Sequence, residues 1–233
     1  MGVVTISRQY GSGGRTIGYR AAEKLGYVYM DKELLVKVAV EAELPVSEVE
    51  GFDEQPEHPL MRALRKFIGP TYGGASAMTA EEWSGPVAFP VLSSMEETRL
   101  SSLDEDSYVK LTQKIMLRLA NEGDVVLMGR GSQALLGHRR DVLHVRVIAP
   151  REFRVRTTHE RDEVGRQEAG RMIKRIDEQR HRYIKRHYSL DVTKPEHYHL
   201  VVNTEWLGVE GAVQTVVEAA RHLPLSDEAV GRE

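Results

Sequence analysis

Between Ile6 and Thr16 the chain reads Ile-Ser-Arg-Gln-Tyr-Gly-Ser-Gly-Gly-Arg-Thr, a glycine-rich turn between an apolar run and a helical pattern. These residue types at this spacing suit the holding of phosphate. Gly11, Gly13 and Gly14, with Ser12 among them, let successive backbone N–H groups turn toward one point. Arg15 brings a cation, and Thr16 brings a hydroxyl for Mg²⁺ at a helix N-terminus. Against the pattern G-x-x-x-x-G-K-[ST], Gln9 takes the place of the first glycine and Arg15 that of the lysine, while Gly14 and Thr16 match. A dinucleotide pattern, G-x-G-x-x-G, competes for the same turn through Gly11 and Gly13, with Asp31 near the place of a ribose-binding acid. Thr16 fills its third glycine, where helix and strand must pack closely, so a phosphate cradle is the preferred reading.

Three further places carry charge in a telling context. Asp31 ends the apolar run Tyr27-Val28-Tyr29-Met30. Arg130 stands between two glycines after Asp124-Val125-Val126-Leu127-Met128. From Arg151 to His187 there are twelve Lys and Arg against seven Asp and Glu, in a chain whose net charge is −3. That local excess predicts an anionic partner for the segment. Within it, Ile173, Ile176, Asp177, Arg180 and Ile184 fall on one helical stripe, with Arg171, Arg175, Glu178 and Arg182 on another. Asp177 and Arg180 are thus expected to face inward as a pair lining a polar cleft, with Arg180 held by Asp177. His197 and His199 are read as structural or surface residues, because two histidines do not make a metal site.

The elements that must position these groups alternate. Strand-like runs at Val3 to Ile6, Tyr27 to Met30, Asp124 to Met128, Val142 to Ala149 and His199 to Asn203 are separated by helical periodicities. Those periodicities include Ile17 to Leu25, Asp104 to Asn121 and Val209 to Ala220. Such alternation predicts a three-layer α/β fold around a parallel sheet, whose carboxyl edge receives ligands. Six of the nine prolines lie between Pro45 and Pro90, so that stretch reads as an irregular insertion with a short helix near Leu60 to Phe67 and a loop over Gly69 to Ser76.

Composition excludes several classes. With no cysteine, thiolate nucleophiles, disulfides and Cys-based zinc sites are out, and a cytoplasmic setting is expected. No apolar run approaches membrane-span length, and the acidic balance argues against a general nucleic-acid binder. The expected partners are small-molecule nucleotides, with neither nucleic acid nor membrane.

With these stretches in hand, the chain resembles the cytidylate kinase-like proteins, relatives of CMP kinase among the P-loop nucleoside-monophosphate kinases. The resemblance rests on Ile6 to Thr16, Tyr29-Met30-Asp31-Lys32-Glu33-Leu34, Gly129-Arg130, and the Asp177-x-x-Arg180 helix, and it spans Val3 to about Ala220. It implies one P-loop kinase domain over residues 1–223 with a five-stranded parallel sheet, an acceptor-binding insertion at about 45–103, a helical lid at about 151–195 and a polar tail at 224–233. ATP is the implied phosphoryl donor, Mg²⁺ the metal, and a nucleoside monophosphate of the CMP or dCMP type the acceptor. Arg15, Arg175 and Arg180 are the implied catalytic cations. Asp31 and Arg130 are the implied acceptor ligands, and Arg154, Arg161 and Asp177 the lid residues. Gly131 stands where CMP kinase carries an Asp, and Thr157-Thr158 where a tandem arginine pair is expected. A nucleotide-binding regulator without turnover and a dinucleotide-dependent oxidoreductase are the alternatives from other classes.

Overall fold

Runs of Val, Ile and Leu without polar alternation belong in strands covered on both faces, and such runs build the centre of this molecule. The structure is a computed structural model that describes residues 2–31 and 105–223. Its elements are β1 (Val3–Arg8), α1 (Gly14–Leu25), β2 (Val28–Met30), α2 (Glu105–Glu122), β3 (Val125–Met128), α3 (Ser132–Leu135) and β4 (Val142–Ile148). They continue with α4 (Arg151–Asp162), α5 (Arg166–Tyr188), a short 3₁₀ turn (Pro195–His197), β5 (Leu200–Asn203) and α6 (Thr204–Arg221). The strands form one five-stranded sheet in the order β2-β3-β1-β4-β5, parallel throughout. β1 is central, with Val3 opposite Val125 on one side and Val142 on the other.

The five-stranded parallel sheet expected from the sequence is therefore present. Because every strand runs the same way, the segments leaving β1, β3, β4 and β5 emerge at one edge. Ile17 and Ala21 of α1 and Val213 and Val216 of α6 pack with Ile6 and Val145 in the main core. At roughly 25 cal/mol per Å² of buried apolar surface, this packing fixes the sheet and with it the edge.

The chain divides into two compact units, Met1–Met30 with Leu117–Glu233, and Asp31–Met116. The first contains the whole sheet. The insertion expected at 45–103, its helix near Leu60 and loop at Gly69 to Ser76, and the tail at 224–233 lie outside the described residues. Among the described residues no helix is long and apolar enough to cross a membrane.

One boundary differs instructively. The periodicity predicts the last helix from Val209, yet α6 begins at Thr204, where Asn203 accepts a capping bond from the Glu205 amide at 3.1 Å. Gly208 then breaks helical geometry (φ 63°, ψ 176°), so two helical pieces join across a kink that periodicity alone cannot bridge.

Strand β4 carries a buried histidine. His144 is 3% exposed, its Nδ1 is 2.8 Å from Thr5 Oγ1, and its ring lies 4.9 Å from that of His199. Burial first, and then the neighbouring His199, push its pKa down to about 4.

Candidate active site

The loop between β1 and α1 is held from beneath. Gln9 donates its amide N–H to Val147 O at 3.0 Å, and its Oε1 accepts the Ala149 amide at 3.0 Å. Ser12, fully buried, donates its hydroxyl to Gln9 O at 2.8 Å and approaches Val147 O at 3.3 Å. Thr204 at the start of α6 donates to Ser12 O at 3.0 Å. Ser12 is expected in the cradle through its backbone amide, and its side chain points into the fold, where it serves the loop's underside. Gly11 and Gly13 adopt left-handed conformations (φ 77° and 74°), and Gly13 caps α1 without any side-chain cap. A helix that begins this way presents its N-terminal dipole to whatever lies above it, which suits an anion. Arg15 and Thr16 occupy the second and third positions of α1, both partly exposed.

Tyr10 organises the neighbouring helices. Its amide donates to Asp177 Oδ1 at 2.8 Å and its carbonyl accepts from Arg154 Nη1 at 3.1 Å. Its hydroxyl donates to Asp162 Oδ2 at 3.0 Å and accepts from Arg161 Nη2 at 2.7 Å. The Arg161 and Arg180 guanidinium groups lie 5.0 and 5.7 Å from its ring centroid. The Arg161 hydrogen bond holds the Asp162 carboxyl below the usual carboxylate range.

Here the expected roles separate. Arg154, implied by the resemblance as a lid residue, is 8% exposed and spends its guanidinium on Ala149 O (3.0 Å), Tyr10 O and Asp177 Oδ2 (2.6 Å). It fastens α4 and α5 to the loop. Asp177 and Arg180 do face the loop, but Asp177's close partners are Arg154 and the Tyr10 amide, with Arg180 only 4.0 Å away. Arg180 donates instead to Arg8 O at 3.3 Å. Arg175 is exposed, and at 100° per residue it points some 200° away from Asp177, outward rather than toward the loop. Thr158 is fully buried, and a Cβ on Gly11 would lie 2.7 Å from its hydroxyl. That contact accounts for the glycine at position 11, where a side chain would meet Thr158 and the Arg154 carbonyl.

On the other side of β1, Arg130 adopts a left-handed conformation (φ 57°) and its guanidinium lies 5.1 Å from the Tyr183 ring centroid. Tyr188 donates its hydroxyl to Arg130 O at 2.9 Å. The Tyr188 ring also covers Gly131, where any Cβ would overlap it. The Asp that CMP kinase carries here is thus excluded by space as well as by a φ of 79°. Asp31 directly follows β2 and is 1% exposed.

Three guanidinium groups converge where β1 ends. Arg146 donates from Nη1 to Ser7 Oγ at 2.6 Å and lies 5.7 Å from the Tyr198 ring centroid. Arg8 is the last residue of β1. Burial pushes the Arg180 pKa down to about 10, with Arg8 and Arg146 adding to the depression and Asp177 and Tyr10 opposing it. Like charges gathered in this way favour an anion between them. Sequence reasoning missed Arg8, Tyr10, Arg146 and Tyr188. For Tyr10 a signal existed, an aromatic residue inside a glycine loop, but its partners are 144 to 167 positions away.

A sequence model of the cytidylate kinase-like family matches residues 3–206. No curated protein sequence matches the chain. Among solved structures, an uncharacterized protein from Eubacterium ventriosum superposes with a TM-score of 0.58 at 14% identity, covering 95% of this chain and 99% of that one. A shikimate kinase from Bacteroides thetaiotaomicron superposes with a TM-score of 0.46 at 14% identity, covering 94% of this chain and 98% of that one.

Proposed function

The chain belongs to the cytidylate kinase-like family, and from that premise we propose that it transfers a phosphoryl group from ATP to a small acceptor, a nucleoside monophosphate of the CMP or dCMP type being the first candidate. The observation that carries this reading is the N-terminus of α1, which has no side-chain cap and has the Arg8 side chain packed against its first residue, with Arg180 bonded to the Arg8 carbonyl.

Phosphoryl transfer asks for alignment of two oxygens, neutralisation of the charge on the moving group, and exclusion of water. The α1 N-terminus supplies fixed dipoles for the donor phosphates, with Arg15 at its second position. Arg180 sits where its charge meets the transferred group. Arg130, directly before the closed-off Gly131, takes the acceptor's anionic end, while base selection falls to residues other than the missing Asp. Arg161, stacked on Tyr10, closes the solvent side. Thr16, partly exposed at the third position of α1, is the residue that would hold Mg²⁺, and the ion would supply charge neutralisation to the phosphates. An acceptor phosphate is already anionic, so no dedicated base is required.

The test is a screen of nucleoside monophosphates and small hydroxyl compounds with ATP and Mg²⁺, read as ADP formed. Acceptor-dependent ADP formation, strongest with CMP or dCMP, is expected. Tight ATP binding with no acceptor-dependent turnover would overturn transfer in favour of a nucleotide-binding regulator.

A further inference from the structure

The helix fixes the register of the phosphate loop more firmly than the sequence does. Gly13 is the residue that caps α1, and placing the second glycine of G-x-x-x-x-G-K-[ST] on that cap puts the lysine position at Gly14, the first-glycine position at Arg8 and the hydroxyl position at Arg15, with Thr16 one place beyond it in the same first turn of α1. Glycine and cation have changed places. The packing supports an exchange. Gly14 is the first helical residue of α1 and has no positive φ, so its backbone conformation gives no reason for glycine. Its neighbour gives the reason: a Cβ on Gly14 would lie 2.6 Å from Arg8 Cβ and 3.1 Å from Arg8 Cγ. At the far end of the same side chain, a Cβ on Gly129 would overlap Arg8 Nη1. Two glycines from separate segments therefore clear a track for Arg8, from the first turn of α1 to the turn after β3.

We infer that Arg8, reaching from the strand across Gly14, supplies the phosphate-binding cation that loops of this kind carry as a lysine on the helix, and that its ligand is the phosphate chain of the donor nucleotide. The inference rests on the phosphoryl-transfer reading above. Arg15, one turn position further along α1, is then an auxiliary contact. The planar fork of Arg8 suits two phosphate oxygens at once. Its fixed track over two glycines lowers the entropy lost on binding. Arg180, whose Nη1 donates to the Arg8 carbonyl, is brought to the same phosphates from the helical side.

The experiment measures MgADP and MgATP binding by calorimetry for the full chain and four variants, each first checked for an unchanged melting temperature. Arg8→Ala should weaken both ligands by about 10- to 100-fold, the range for losing a charge-assisted contact. Gly14→Lys alone should also weaken them, because its Cβ collides with Arg8. The double variant Arg8→Gly/Gly14→Lys, which restores the usual arrangement, should recover affinity to within about fivefold of the parent. A merely structural Arg8 would not be rescued by a lysine on the helix. Arg15→Ala should cost less than Arg8→Ala. If Arg8→Ala binds within about twofold of the parent, or the double variant is no better than either single one, the inference falls and the phosphate-loop reading stands. If the parent itself binds neither nucleotide, the phosphoryl-transfer reading falls and takes the inference with it.

Discussion

Arg180 is placed where the folded chain gains little from it. Its pKa is lower folded than unfolded, so at neutral pH the charged guanidinium weighs against folding and waits for an anion to relieve it. Arg180→Ala should therefore keep or slightly raise the melting temperature while lowering kcat at least about tenfold. Arg175→Ala, on the outward face of the same helix, should change kcat less than twofold. A steady-state comparison of the two variants checks the assignment, and the reverse order would remove Arg180 from the reaction. The 3.6-residue period was enough to put Asp177 and Arg180 on the loop-facing stripe. It was not enough to say which cation Asp177 would hold, because Arg154 and Tyr10 come from other segments, and no local spacing pairs them with α5. Arg8 was illegible for the same reason: its track is cut by Gly14 and Gly129, which are neighbours only once β1 and β3 have paired.

At the scale of elements, β4 carries a buried titratable group, His144, bonded to Thr5 of β1 and packed against the ring of His199. The unfolded chain takes up a proton at His144 as pH falls below about 6.5, while the folded chain does not until about 4, so stability declines with acidification through that window. At about 1.4 kcal/mol per unit, the loss between pH 7 and pH 5 is about 2 kcal/mol at most. Urea unfolding of His144→Asn should show a flatter dependence across pH 7 to 5 than the parent, and equal slopes would show that His144 is not the group responsible. The strands themselves were readable because double-sided burial leaves uninterrupted Val, Ile and Leu. The start of α6 was not, since a cap at Asn203 and a break at Gly208 hide a helical turn from any periodic pattern.

At the scale of the molecule, α4 and α5 are a charged pair of helices fastened to the phosphate loop through Tyr10, Arg154 and Asp177. Phosphate binding should therefore be felt along residues 151–187. A bisubstrate analogue is expected to slow hydrogen exchange and proteolysis there, and unchanged exchange with ligand demonstrably bound would mark the pair as a rigid support. The strand order has a further consequence, for synthesis. β1 is made before the other four strands of the sheet, yet it is the middle one: Val3 waits 122 positions for Val125 and 139 for Val142. At about 5–20 residues per second, that is on the order of ten seconds during which this strand of the nascent chain has neither neighbour. The phosphate loop that follows it has no foundation until β4 is made, because Gln9 and Ser12 are tied to Val147 and Ala149. A chain truncated before that point would carry the loop's residues without its shape.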